Sequence, residues 1–197
     1  MTQFAKDYFQ ITQQEMSKFL SKIDYSALQE AKNLILDVEE KGGRVHLTGI
    51  GKPSYVAGYI ASLLSSTGTK AYVLHGTEAV HGSSGQVAPG DVVIAISNSG
   101  QTAELQATVE TLLNNEAKII AVTSNKDSWL ATNAHCALIA GVTHEGDSLN
   151  KPPRGSILAE ILVLQGLSVI LQEHKELNPQ TYVKWHPGGA LGASIKK

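Results

Sequence analysis

The sequence predicts an α/β fold: a three-layer sandwich in which a parallel sheet lies between two layers of helices. From residue 44 onward, short runs rich in β-branched residues alternate with segments of helical periodicity, as in doubly wound folds. The run at 92–96 is apolar at every position, which indicates a strand buried on both faces. Five strands are predicted, over 45–48, 71–74, 92–97, 118–123 and 137–140.

The helical segments follow from apolar residues at helical spacing. Two such segments fill residues 1–43 and are separated by a helix-capping sequence at 24–26, so we expect them to pack on an α/β core of residues 44–197 within one domain. A last long helix is apolar on nearly all sides, which predicts burial in the core or at a subunit interface. Within residues 44–197, helices are predicted over 55–66, 102–114, 128–133 and 156–173.

Composition excludes several classes of protein. The chain has 197 residues and a net charge of −2, whereas a nucleic-acid binder relies on a basic surface. The N-terminus lacks the pattern of a signal peptide, and the longest apolar stretch is too short and too interrupted to span a bilayer. The single cysteine, Cys136, cannot form an intrachain disulfide, which fits a reducing compartment. We therefore expect a cytoplasmic protein without a nucleic-acid or membrane partner.

The strongest candidate site follows the third predicted strand. Ligands of open parallel sheets bind beyond the carboxyl ends of the strands. Here the 97–102 turn supplies three hydroxyls, from Ser97, Ser99 and Thr102, and Gly100 permits a close approach of the backbone. The helix that begins after Thr102 adds unpaired N–H groups and the positive end of its dipole. This combination predicts a phosphate site without a lysine, although helix capping alone also uses such residues.

Two other strand ends carry polar turns. After the first strand, Gly51 and Lys52 lie in a tight turn that matches neither a P-loop nor a dinucleotide fingerprint, because Pro53 and Ser54 stand where those motifs need other residues. After the second strand, His75 and His81 flank a carboxylate, but their spacing matches no zinc site. We therefore expect no metal and no cofactor, and His81 is the better candidate for acid–base chemistry or for contacts with sugar hydroxyls.

Two short polar segments occur late in the chain. Glu145 follows the fifth strand and so belongs to the same edge of the sheet, and Ser156 opens the long helix. His186 precedes Pro187 and two glycines, a place where packing does not require a histidine.

Together these motifs resemble the SIS (sugar isomerase) domain of the arabinose 5-phosphate isomerases. The resemblance covers nearly the whole chain, without the paired CBS regulatory domains that such isomerases commonly carry. The motifs that carry it are GIGK at 49–52, SSTGT at 65–69, EAVHG at 78–82, SNSG at 97–100 and HPGGALG at 186–192.

The resemblance implies a five-stranded parallel sheet and a homodimer or homotetramer with shared active sites. It implies a phosphorylated sugar as ligand and adds Ser66 and Thr67 to the binding residues. The candidate substrate- and phosphate-binding residues are Ser97, Asn98, Ser99, Gly100, Thr102, Gly51, Ser66 and Thr67. The candidate catalytic residues are Glu145, His186, Lys52 and His81.

Three functional hypotheses remain open at this point. The first is a metal-independent aldose–ketose isomerase that works through an enediol(ate), with Glu145 as base, His186 as proton shuttle and Lys52 as charge stabiliser; base and shuttle could be exchanged. The second is a sugar-phosphate sensor without catalysis, because the segment 149–156 departs from the Thr/Ser-rich turn of the isomerases. The third is another SIS enzyme, such as a hexulose-phosphate isomerase or a lyase of amino-sugar phosphates.

Overall fold

A five-stranded parallel sheet occupies the centre of the molecule, and its strands pair in the order β2-β1-β3-β4-β5. A computed structural model describes residues 2–189 and residue 193. The order reverses between β1 and β3, which is the arrangement of a doubly wound sheet, so the predicted fold class is confirmed. The strands are β1 (Val45–Gly49), β2 (Ala71–Val73), β3 (Val92–Ile96), β4 (Lys118–Thr123) and β5 (Cys136–Ile139).

Helices cover both faces of this sheet. Side chains from α1, α2, α3 and α7 share one apolar cluster with β1, β3, β4 and β5, while α4, α5 and α6 form a second cluster on the opposite face. Every residue of β1 and β3 is buried, and for β3 the apolar run at 92–96 predicts this. The helices are α1 (Thr2–Leu20), α2 (Tyr25–Glu40), α3 (Lys52–Ser66), α4 (Gly76–Ala79), α5 (Ala103–Asn114), α6 (Trp129–Thr132), α7 (Gly155–His174) and α8 (Pro179–Trp185).

The predicted strands and long helices are present, with ends displaced by at most three residues. Asp24 caps α2 as expected, because its side chain accepts hydrogen bonds from the backbone of Ser26 and Ala27. The prediction missed α4, α8 and the 3₁₀ turn Ser83–Gln86. These pieces have four to seven residues, too few for a helical period to be recognised in the sequence.

Helix α7 lies in the core along one side only. Its residues Ala159, Leu164 and Leu167 are fully buried, whereas Val169 is 55% exposed. By length and composition alone this helix could cross a membrane, but half of its most apolar window is buried inside the fold. Its apolar character is therefore accounted for by core packing, together with an exposed apolar strip.

At the amino edge of the sheet, Asp91 joins the chain segments that lead into β1 and β3. Its carboxylate accepts hydrogen bonds from the backbone N–H groups of Arg44 and Ala88, at 2.8 and 2.9 Å, and contacts Nε2 of His46 at 3.1 Å. Because the carboxylate is buried, these donors supply the partners that water would otherwise provide.

A second buried carboxylate, that of Glu15, fastens α1 to the segment after β5. Its two oxygens accept hydrogen bonds from the backbone N–H groups of Thr143 and His144, from the Thr143 hydroxyl and from Lys18. Burial opposes the charge of Glu15, but these donors outweigh it and lower the pKa of the carboxyl from 4.5 to about 2. The segment that carries Glu145 thus begins at a fixed point.

We predict that Glu15→Gln lowers the free energy of unfolding by about 2 kcal/mol at neutral pH, because the amide NH₂ cannot accept the hydrogen bonds that one carboxylate oxygen receives. The pKa of Glu15 is lower in the folded chain, so its contribution is complete above pH 4.5 and is lost as the pH falls toward 2. Urea unfolding at several pH values measures both effects.

The matched control is Glu110→Gln, at an exposed position of α5, which should change stability very little. A destabilisation by Glu15→Gln that stays constant down to pH 2 would contradict the role of the charge.

Candidate functional site

The polar turns that the sequence singled out gather at the carboxyl edge of the sheet. The 97–102 turn follows β3, and the turn at residues 50–51, which leads into α3, follows β1, the strand that pairs with β3. Helices α3 and α7 both begin at this edge, where Lys52 and Pro153 line the same shallow hollow. The cleft therefore lies where the strand order reverses, which is the expected place for a ligand.

Within the 97–102 turn, hydroxyl oxygens accept hydrogen bonds from the backbone of the turn itself. Ser97 Oγ accepts from Gly100 N at 3.1 Å and lies 3.2 Å from Thr102 Oγ1, and Ser99 Oγ accepts from Gln101 N at 3.2 Å. Ser97 is buried and Ser99 is exposed. The O–H group of Ser99 therefore remains available as a donor to a ligand.

The start of α5 carries the features of an anion site. Thr102 is its N-cap residue, yet its side chain makes no capping hydrogen bond. The first N–H groups of this twelve-residue helix are therefore not used by a side-chain cap, and they point out of the helix end together with its positive dipole. The side chain of Thr102 therefore does not act as an ordinary helix cap.

Gly100 fixes the shape of the turn. Its φ is +63°, and a Cβ added there would lie 2.3 Å from Ser128 Oγ and 2.9 Å from Thr123 Oγ1. Leu130 N donates to Gly100 O at 3.0 Å, and Thr123 Oγ1 donates to Asn98 O at 3.1 Å. The end of β4 and the start of α6 thus hold the turn in place.

The turn after β1 forms one wall of a hollow of about 360 Å³ that also reaches His75, Gly76 and Thr77. Gly51 has a φ of +66° and is the N-cap residue of α3 without a side-chain cap. Lys52 is exposed at the start of that helix and makes no ion pair within residues 2–189. A cation is therefore free to turn toward a ligand at this edge.

Glu145 caps the start of α7 from the preceding loop. Its Oε2 accepts hydrogen bonds from Arg154 N at 2.7 Å and from Ser156 N at 3.1 Å. Arg154, the N-cap residue, makes no side-chain cap and instead pairs with Asp147. The half-buried carboxylate of Glu145 is thereby oriented through one oxygen, and the other accepts nothing from the described residues.

The other predicted site residues fall into two groups. His81 is exposed just after α4, and α4 packs on α5 through a hydrogen bond from Thr108 Oγ1 to Gly76 O at the carboxyl side. Ser66 and Thr67 lie at the far end of α3, about 22 Å from Lys52 at 1.5 Å per helical residue. Their hydroxyls bond to the carbonyls of Leu63 and Leu64.

His186 belongs to this far end as well. It follows α8, stacks on Tyr182 at 4.0 Å between ring centroids, and its neighbour Trp185 lies against Gly68. One chain therefore does not bring Ser66, Thr67 and His186 to the 97–102 turn. Residues 190–192 of the HPGGALG motif lie outside the described residues.

Buried polar atoms without a hydrogen-bond partner cluster near the carboxyl edge. They include Thr48 Oγ1 at the end of β1, Asn98 Oδ1 in the turn, Ser156 Oγ, and both carboxylate oxygens of Glu160. Glu160 is fully buried and is not among the site residues that the sequence predicts. The sequence feature that could have identified Glu160 is a carboxylate within a helix that is otherwise apolar on nearly all sides. Among the residues that the structure describes, no group of three or more His, Cys, Asp or Glu side chains could hold a metal ion.

Comparison with known proteins gives a family match over most of the α/β core. The family model described as "SIS domain" matches residues 39–164. An arabinose 5-phosphate isomerase of Francisella tularensis, KdsD, is 33% identical over 191 residues, which are 97% of this chain and 58% of that protein. The chain thus spans a little over half the length of the curated relatives it matches first.

Two solved structures share the fold. A protein of Escherichia coli CFT073 in complex with A5P superposes with a TM-score of 0.78 at 33% identity, covering 93% of this chain and 94% of that one. A Listeria monocytogenes protein gives a TM-score of 0.88 at 24% identity, covering 95% and 96% of the two chains. The second match supports the fold alone.

We predict that Gly100→Ala lowers the free energy of unfolding by about 2 kcal/mol or more, because alanine is strained at positive φ and its Cβ would collide with Ser128. Gly58→Ala is the control, since a Cβ there meets no atom within 4 Å in the middle of α3. Urea unfolding compares the two variants. Equal stabilities would mean that the 97–102 turn does not depend on this glycine.

Proposed function

The chain belongs to the SIS domain family, and we propose that it is an aldose–ketose isomerase of a phosphorylated sugar that works through an enediol(ate). The observation that carries the proposal is the placement of Glu145, with one oriented and one free carboxylate oxygen, at the sheet edge that holds the uncapped start of α5. The names of the relatives support the same proposal, because several are arabinose 5-phosphate isomerases. We also propose that the chain forms a single SIS domain, in which α1 and α2 pack on the α/β core.

We propose that the sugar phosphate binds at the 97–102 turn. Ser99 and Thr102 would donate O–H hydrogen bonds, and the first N–H groups of α5 would face the phosphate oxygens. Ser97 shapes the turn through Gly100 N and Thr102, and Asn98 accepts hydrogen bonds from β4 through its carbonyl. Gly51 keeps the neighbouring turn open, with Lys52 as a mobile cation for the sugar oxygens or the phosphate.

The isomerisation needs one proton to move between carbons and one between oxygens. Glu145 would take the proton from the carbon next to the carbonyl, leaving an enediolate, and return it to the former carbonyl carbon. His186 would open the sugar ring and carry the proton between the two oxygens, and Lys52 would stabilise the negative oxygen. His81 would contact sugar hydroxyls on the α4 side.

The separation of the site residues supports a homodimer or homotetramer with shared sites. Ser66, Thr67 and His186 lie at the far end of α3, so they can act on the same ligand only from a second chain. An exposed apolar strip is available for such contacts: Tyr55 on α3 is 79% exposed, Tyr59 45% and Val169 on α7 55%. Such a strip is typical of an interaction surface.

The substrate proposed first is arabinose 5-phosphate, because relatives are named for it and one was solved with A5P. The segment 149–156 contributes the two backbone donors to Glu145, and its sequence differs from the corresponding turn of the isomerases. The identity of the sugar is therefore determined by testing several sugar phosphates. Because its single cysteine cannot form an intrachain disulfide, we propose that the protein acts in the cytoplasm.

We predict that Glu145→Gln lowers turnover at least about a hundredfold, the usual contribution of a general base. Glutamine retains an acceptor oxygen for Arg154 N and Ser156 N, so the start of α7 should persist. Turnover is measured with arabinose 5-phosphate and with other pentose, hexose and amino-sugar phosphates. Glu173→Gln, at the exposed far end of α7, is the control.

Unchanged turnover in Glu145→Gln would remove Glu145 from the mechanism. Thermal stabilisation of the wild-type protein by one sugar phosphate without any conversion would replace the isomerase with the sensor.

We predict that the inactive variants Glu145→Gln and His186→Ala complement each other when their subunits are mixed. If each site takes Glu145 from one chain and His186 from another, random mixing restores about a quarter of the wild-type activity, because half of each kind of residue is intact. If each site uses one chain only, the mixture stays inactive. The assay is turnover after the two variants are unfolded together and refolded, with each variant alone as control.

A further inference from the structure

Glu160 is a buried carboxyl that the proposed reaction does not use. It lies on the buried side of α7 in the second helical turn, with no exposed surface, and neither oxygen has a hydrogen-bond partner among the described residues. An ionised carboxylate in such a place would lose its hydration without compensation. The geometry therefore favours the protonated form.

Glu160 lies one helical turn beyond a residue that holds the proposed base. Ser156, whose N–H donates to Glu145 Oε2, precedes Glu160 by four residues, so the two share one side of α7 one turn apart. The Ser156 hydroxyl is buried and unpartnered as well. The first turn of α7 thus joins a half-buried, oriented carboxylate to a fully buried, unsupported one.

Charged groups lie on the 141–154 loop and on the three helices that pack against α7, namely α1, α2 and α3. On the 141–154 loop, Glu145 acts on it as a like charge. On α3, Lys52 and Tyr55 line the hollow beside Ile157. On α1, Glu15 is occupied by Thr143, His144 and Lys18, and on α2, Glu39 pairs with Lys175 at the other end of α7. No cation among the described residues pairs with Glu160.

We propose that Glu160 holds a proton at neutral pH, so that the pair carries a single negative charge, borne by Glu145, until Glu160 ionises in alkaline solution. The division of charge follows from the donors, because Glu145 receives two backbone N–H groups and Glu160 receives none. The assignment rests on the proposed function in treating Glu145 as the base. Burial and the charge of Glu145 raise the pKa of Glu160 to about 8, in agreement with it.

The sign of the pH effect follows from this raised pKa. Between pH 4.5 and about 8 the folded chain keeps the Glu160 proton while the unfolded chain has lost it, so stability declines as the pH rises through this window and levels off above it. Above pH 8 ionised Glu160 would add a second negative charge near Glu145. This charge would disfavour both the bound phosphate dianion and the enediolate. Turnover should therefore decline as the pH passes 8.

The direct test is a carbon-13 NMR titration of the glutamate side-chain carboxyls between about pH 4 and about pH 10, a range that covers ordinary and raised values. We expect one resonance with a midpoint near 8, absent in Glu160→Gln and moved to lower pH in Glu145→Gln. Ser168→Ala, a buried polar position two turns further along α7, should leave the midpoint unchanged.

A Glu160 midpoint near 4.5 would overturn the proposal, and so would a midpoint that Glu145→Gln does not move. Should Glu160→Gln fail to fold, the wild-type and Glu145→Gln titrations still give both results. Turnover provides the second readout: Glu160→Gln should match the wild type at pH 7 and lack its decline near pH 8. A loss of turnover at pH 7 in folded Glu160→Gln would contradict the proposal.

If no sugar phosphate is converted by the wild-type protein, the proposed function fails. The NMR midpoints still decide whether Glu145 and Glu160 share one charge.

Discussion

The rest of the structure depends on a parallel sheet that is buried on both faces. Because helices cover β1 and β3 completely, polar groups of the core can reach a ligand only at the ends of the strands. The amino edge is closed by Asp91, whose carboxylate receives Arg44 N and Ala88 N. The carboxyl edge is left with unused donors and acceptors, and it is there that the order of the strands reverses and opens a cleft.

Two buried glutamates near this edge show how neighbours decide the state of a carboxyl. Glu15 and Glu160 are both almost inaccessible, yet the pKa of the first is lowered to about 2 and that of the second is raised to about 8. Burial raises the pKa in both cases; the hydrogen bonds from Lys18, Thr143 and His144 reverse the direction for Glu15 alone. Glu15 therefore stabilises the segment leading to Glu145, while Glu160 costs stability as the pH rises.

Sequence reasoning predicted the sheet, its five strands and the 97–102 turn, because each rests on a local pattern: apolar runs, or hydroxyls around a glycine before a helix. It could not predict that Glu145 accepts from Arg154 N and Ser156 N, since this depends on how a fifteen-residue segment folds back onto α7. Glu160 was visible only as an interruption of an apolar helix. Its importance comes from a missing partner, which is a property of three-dimensional packing.

The same limit explains why the motifs divide into two groups. Motifs that follow strands must meet at the carboxyl edge, so the turns at 49–54 and 97–102 come together within one chain. The motifs at 65–69 and 186–189 follow helices that run back, and Gly68 and Trp185 meet at the opposite edge. A phosphorylated sugar is far smaller than the length of α3, so it cannot touch both groups in one subunit. If all these motifs serve one ligand, the functional unit is an assembly of chains whose opposite edges face each other.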